Sequence, residues 1–336
     1  MIKSATTGTG AALERLFITG VSPVTMDDVT SGFNIGTNIT NDSWFNDLVG
    51  FSENELREML EYYKEQGVLQ ESIDEIVAMM KPNYDNYCFS EDTLEQCMFN
   101  SDMALYFLKS FVLHHKKPKE IVDPNIRTDF NKLAYLIKLD HGLGENFSVI
   151  KEIAEQGEII TDIVTHFSAL EMTDPSNFKS LLFYFGLLSI KGVDMVGRPI
   201  LHVPNLVVRE QLFNFLIQGY IKHDIFKIDM NKMSALFENM AFRGDWKPLF
   251  DFIANAVREQ SRIREYIEGE AHIKGFLLAY LGMYRYYQLY PEYELNKGFA
   301  DFFFKPSLSV PVLPPFTYLL EVKYAKAGAS EKENIL

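Results

Sequence analysis

The sequence predicts a mainly α chain that ends in a smaller α/β segment. Apolar residues recur at helical spacing from Ser43 to Gln260, and after Arg262 they fall instead into short strand-like runs. Pro306, Pro311, Pro314 and Pro315 crowd the loop before the last of these runs, where no central strand could hold them. A chain of 336 residues exceeds one comfortable core, so two or three domains are expected. Apolar and aromatic contents of 47% and 14% are those of a folded protein.

The elements follow in order. A Thr/Gly-rich start over residues 1–10 leads into a short helical run and the strand-like Leu16-Phe17-Ile18, ending at Thr19-Gly20. No Gly-Lys-Ser/Thr follows the glycines, so they form no phosphate-binding loop. A lone strand has nothing to pair with, which makes residues 1–40 read as part of a sheet whose other strands lie upstream. Ser52 and Glu55 form a capping box ahead of Leu56, Met59, Leu60 and Tyr63, which share one helical face, and Gly67 closes that helix. Further helices are expected at 73–80, ended by Pro82, and at 102–113, 128–140, 148–156 and 177–188. A glycine-rich turn at 192–197 and the run at 199–204 predict a hairpin. Helix plus hairpin over 176–206 resembles a winged-helix unit, a plain connector being the alternative. Helices at 207–220, 233–240 and 246–260 complete the helical stretch of residues 41–260.

A boundary is placed near Ser261. The last segment, 261–336, predicts a long helix at 265–287, a turn at Tyr290-Pro291, and strands at 293–296, 298–304 and 316–324.

The net charge of −14 argues against a protein whose whole surface attracts nucleic acid. From Arg262 onward nine Lys and Arg balance nine Asp and Glu, so this segment is neutral within an acidic chain. Cys88 and Cys97 have no metal-ligand spacing and no secretory leader precedes them, which predicts a reducing cytoplasm. No apolar run is long enough to span a bilayer. The helical middle carries no basic stripe and is expected to favour protein partners over nucleic acid.

Asp301, Glu321 and Lys323 interrupt apolar strand runs. Alternate strand residues share a face, so Glu321 and Lys323 project to one side while Val322 packs on the other. Charges inside apolar strands are costly unless paired or metal-bound. Strand-borne carboxylates suit a hard cation such as Mg²⁺ or Mn²⁺, and an adjacent lysine can orient an attacking water. The alternative is a structural ion pair on a solvated sheet face. Acids clustered around an absent metal would raise one another's proton affinity, and Asp301→Ala would then relieve repulsion.

Other candidates carry less. His114-His115 beside Lys116-Lys117 reads as a solvated helix end, and the glycines at 142 and 144 as a turn.

Longer stretches carry a family resemblance. They are residues 16–25, 31–38, 50–55, 84–90, 99–102, 180–186 and 203–205, then Gly269-Glu270, 275–281, Glu294, 298–301 and 321–323. In these the chain resembles a prokaryotic family that joins an AAA-ATPase-like domain to a PD-(D/E)xK nuclease-like domain. The resemblance implies a metal-dependent nuclease in which Asp301, Glu321 and Lys323 are catalytic and Glu270, Asp301 and Glu321 hold Mg²⁺ or Mn²⁺. Glu268 competes with Glu270 for the helix position, and its spacing to His272 also allows a plain i,i+4 pair. Glu294 matches an acidic family position, and Ala300 replaces the proline of the family name. It further implies that residues 1–40 are a remnant of the ATPase core with a sensor-like Thr19, that 41–260 hold the lid and winged-helix region, and that 261–336 are a truncated nuclease domain. The phosphate-binding loop and Walker B acid would lie upstream, so ATP belongs to the full-length family and no cofactor-binding residue is expected here. Nucleic acid is the implied substrate. A non-catalytic interaction module that keeps the nuclease fold is the competing reading.

Overall fold

The computed structural model describes residues 17, 19–20, 37–118, 122, 144–165, 171, 174–260, 263, 267, 269–296, 298–307, 310 and 312–323. The expected N-terminal strand lies almost wholly outside these residues, and the expected helix at 128–140 lies wholly outside them. The chain divides into two compact units, Met1–Asp140 with Glu158–Leu206, and His141–Gly157 with Val207–Leu336.

In the first unit, α1 (Glu53–Glu65) starts as the capping box predicts: the Glu55 amide donates to Ser52 Oγ (3.2 Å) and the Ser52 amide to Glu55 Oε2 (2.8 Å). Leu56 and Leu60 bury one face, and Gly67 follows with φ +71°. Helix α2 (Ile73–Tyr84) runs through Pro82, two residues past the predicted stop. Proline in the last turn forfeits one hydrogen bond without breaking the rods before it, and the Asp85 amide still reaches Lys81 O at 3.2 Å. Helix α3 (Ser101–His114) is capped by Asn100 and ends where His115 turns left-handed at φ +51°.

The unit also holds a small antiparallel sheet. Strands β1 (Glu158–Ile160), β2 (Ser189–Val193) and β3 (Pro199–His202) lie in the order β1-β3-β2, with Leu201 level with both Ile159 and Ile190. The hairpin was expected; β1, three residues long, was not. Asp194 locks the hairpin turn, accepting from the Val196 and Arg198 amides and from the Arg198 guanidinium. The helix before the hairpin, α5 (Pro175–Tyr184), stops short of the predicted 188 because Gly186 adopts φ +70° and turns the chain toward β2.

The second unit contains α4 (Glu145–Gln156), α6 (Leu206–Lys222), α7 (Met230–Arg243), α8 (Lys247–Glu259) and α9 (Glu270–Gly282). Three further strands follow: β4 (Tyr287–Leu295), β5 (Gly298–Pro306) and β6 (Tyr318–Leu320), in the order β4-β5-β6. Every residue of α9 from Gly275 to Leu281 is buried, which makes α9 a central helix. Phe276 packs edge-on against Phe226 with ring centroids 4.6 Å apart, and Tyr280 stacks on Tyr220. At Gly282 the helix passes so close to the Phe213 ring that an added Cβ would lie 2.3 Å from it.

The predicted long helix therefore ends early: the chain is already in β4 at Tyr287, and Tyr290-Pro291, predicted as a turn, lies inside that strand. Pro291 is tolerated because β4 is an edge strand. Buried Tyr287 and Leu289 alternate with half-buried Gln288 and Tyr290, the period of a strand and not of a helix. Tyr318 ties β6 to α7 by donating to Met240 O at 2.7 Å. Among the described residues no helix is long and apolar enough to cross a membrane.

Candidate active site

The candidate site forms where α9 meets the edge of the C-terminal sheet. In β5, Ala300, Phe302 and Phe304 are buried on one face. Asp301 alternates with them and so projects to the other, yet it too is only 7% exposed. A buried carboxylate needs partners. Asp301 has two: Oδ2 accepts the Val322 amide at 2.5 Å, and Oδ1 is paired with the Lys274 ammonium of α9.

Sheet register brings further acids level with it. Glu292 sits between Pro291 and Tyr293, whose partners on β5 are Phe302 and Ala300. Leu320 pairs with Phe302, so Glu321, the next residue, comes level with Asp301 from the other side. Glu292, Asp301 and Glu321 thus occupy one row across three neighbouring chain segments. Glu292 adopts φ +46°, a left-handed conformation uncommon for a residue with a side chain.

Lys274 gathers most of this row. Its Nζ lies 2.9 Å from Glu292 Oε1 and 3.2 Å from Glu270 Oε1, besides its contact with Asp301. Glu270 and Lys274 are one helical turn apart, so α9 itself aligns them. Glu321 pairs instead with Lys323, and both side chains are more than half exposed, at 52% and 63%.

The electrostatics differ from those of mutually repelling acids. Burial alone would raise the Asp301 pKa, but the Lys274 hydrogen bond, the Val322 amide and the charges of Lys274 and Lys323 hold it below the usual aspartate value. Asp301 thus runs opposite to the expected rise in proton affinity, and Asp301→Ala would remove a pairing with Lys274, not a repulsion. Lys274 is desolvated, which would lower its pKa, but hydrogen bonds to Asp301, Glu292 and Glu270 outweigh that and raise it. Lys323 is raised chiefly by its hydrogen bond to Glu321, with smaller contributions from Glu270 and Asp301. The Lys323 ammonium thus lies within the field of both acids.

Among the described residues, no three acidic, histidine or cysteine side chains converge as a metal-ligand group. The donor chemistry nonetheless fits a hard divalent cation: the set is all carboxylate oxygen, and Glu270, Glu292 and Asp301 already surround one positive charge.

Residues 268–335 match the family model of the PD-(D/E)XK nuclease superfamily. The matched span takes in α9, the whole β4-β5-β6 sheet and all the acids and lysines of the row. No curated protein and no solved structure matches the chain.

Of the sequence-predicted residues, Asp301 and Glu270 meet at one ammonium, while Glu321 and Lys323 bind each other beside them. Glu268 lies outside the described residues. Glu294 is exposed on β4, level with Phe299. Two site residues escaped the sequence reading, Lys274 and Glu292. The i,i+4 spacing of Glu270 and Lys274 was a usable signal, since Lys274 is the charge set into the apolar run of α9. Glu292 had none, because it depends on the register of β4 through what resembles a turn.

Proposed function

We propose that the C-terminal segment is the catalytic centre of a divalent-cation-dependent nuclease that hydrolyses phosphodiester bonds. The observation that carries this reading is the cross-strand acidic row with Glu270 and two lysines beside it, lying inside the span matched to the nuclease superfamily. Asp301, Glu321 and Glu270 would hold Mg²⁺ or Mn²⁺. Such a cation, when bound, withdraws charge from the scissile phosphate and makes water a better nucleophile. Asp301 is the fixed element of the set, because the Val322 amide and its burial hold its carboxylate in place. Lys323, an exposed ammonium on a flexible four-carbon stem, is suited to orient the attacking water and to meet the phosphate charge. Nucleic acid is the substrate class.

The finer domain reading belongs to the same proposal. Residues 1–40 are taken as a remnant of an AAA-ATPase-like core and 41–260 as a helical region, on the resemblance of their sequence. A winged-helix unit over 176–206 is supported by α5 leading into the β2-β3 hairpin. Cytoplasmic residence is supported by two free cysteines. The helical region is read as the surface for protein partners.

Cleavage of labelled DNA and RNA by the purified chain, with and without Mn²⁺, tests the proposal. Cleavage that needs Mn²⁺ and disappears in Lys323→Ala is expected. Cleavage that survives in Lys323→Ala would contradict the role given to that lysine.

A further inference from the structure

We propose that Lys274 is a built-in counter-cation of the acidic row, occupying the position a divalent cation would take and leaving only when one binds. The inference rests on the nuclease reading above and concerns how the site is regulated.

An ammonium has three N–H donors and no acceptor. Lys274 meets three carboxylates, Glu270, Glu292 and Asp301, each from a different element: α9, β4 and β5. Donors and acceptors therefore match one to one. The arrangement needs the left-handed residue Glu292, since its carboxylate has to come level with Asp301. A backbone conformation of that kind persists only where its surroundings hold it, and here Lys274 is the group that Glu292 meets.

Carboxylate oxygens bind Mg²⁺ at about 2.1 Å. A cation so placed on Asp301 and Glu270 would crowd an ammonium held at 3.2 Å from Glu270 and closer still to Asp301. The two positive charges exclude each other. Lys274 is able to withdraw, because its side chain is 22% exposed and its stem is flexible. The site is therefore ordered without metal, and binding a divalent cation requires displacement of the lysine.

The test is Mn²⁺ binding to the full chain, followed by calorimetry and by the shift of the thermal midpoint. Lys274→Gln should bind Mn²⁺ at least about tenfold more tightly than the parent, a conservative figure for one nearby unit charge. It should also melt lower without Mn²⁺ and gain more when Mn²⁺ is added. Lys323→Gln removes an equal charge from the neighbourhood without emptying the position, and should tighten binding less. Equal tightening in the two variants, or none in Lys274→Gln, would overturn the inference. In both of those outcomes, Mn²⁺ binding lost in Asp301→Asn would leave the nuclease reading standing. Mn²⁺ binding indifferent to Asp301→Asn, or absent from every variant, would overturn the reading and the inference together. If Lys274→Gln does not fold, Lys274→Met serves, since it removes the charge and keeps a stem of similar length: Mn²⁺ binding should again tighten by about tenfold, and binding no tighter than the parent's would overturn the inference.

Discussion

Replacing Asp301 with alanine should destabilise the protein at neutral pH, although an acid in an acidic row invites the opposite expectation. Removing one partner of a buried ion pair costs about 3–5 kcal/mol when the other charge is stranded. Lys274 would not be stranded, because Glu270 and Glu292 remain, and both are more exposed than Asp301. The Val322 amide would lose its acceptor, which costs about 1 kcal/mol if water replaces it poorly. Losing the charge-assisted hydrogen bond from Lys274 costs about 1.5 kcal/mol more, so Asp301→Ala should lose about 2–3 kcal/mol in all. Urea denaturation followed by circular dichroism measures it, each unit's transition being resolved or fitted separately. The pH dependence supplies a second check. The folded pKa of Asp301 lies below its unfolded value, so its stabilisation is complete above the unfolded aspartate value of about 3.9 and is lost as pH falls through the folded pKa. The gap between parent and variant should therefore close in acid. An Asp301→Ala protein as stable as the parent at pH 7, or more so, would refute the pairing with Lys274.

Other outcomes follow from the same structure. Glu155 is half-buried on α4, with Lys151 Nζ 3.8 Å from its Oε1, beyond hydrogen-bond length; desolvation raises its pKa. A carboxylate with a raised folded pKa destabilises once ionised, so Glu155→Gln should raise the thermal midpoint at pH 7.5 and change it little near pH 4. Ser52→Ala removes the α1 cap and should cost about 1 kcal/mol in urea denaturation. Gly282→Ala drives a methyl into the Phe213 ring and should cost about 1–3 kcal/mol by the same measurement. Glu321→Ala, at an exposed side chain, should change stability by less than about 0.5 kcal/mol while removing metal-dependent cleavage.

Much of the C-terminal segment is legible in the sequence. Asp301 and the Glu321-x-Lys323 pair stand out because charges in apolar strand runs need a reason, and β5 announces itself by its apolar run, whereas only the end of β4 was expected, over 293–296, and β6 is shorter than the expected 316–324. The capping box of α1 is equally plain, since it is a local device of four residues. What escapes is non-local. The strand β1 is too short to show a period, and it exists because Ile159 pairs with Leu201 some forty residues on. Pro291 signals a turn to any local rule, and only the edge position of β4 makes it a strand residue. Lys274 resembles an ordinary helix-surface partner of Glu270. That it also meets Glu292 and Asp301 is decided by where the sheet lies against α9, which no spacing along the chain records.

The central claim is that the acidic row supports hydrolysis through a bound cation. The most direct measurement is Mn²⁺-dependent cleavage of labelled DNA and RNA by the parent chain, by Glu321→Gln and by Asp301→Asn, each shown to be folded by circular dichroism. The account predicts cleavage by the parent that requires Mn²⁺ and falls by at least about a hundredfold in both variants, the scale of removing a group that holds a catalytic cation. Cleavage retained at the parent's rate in folded Asp301→Asn would contradict it.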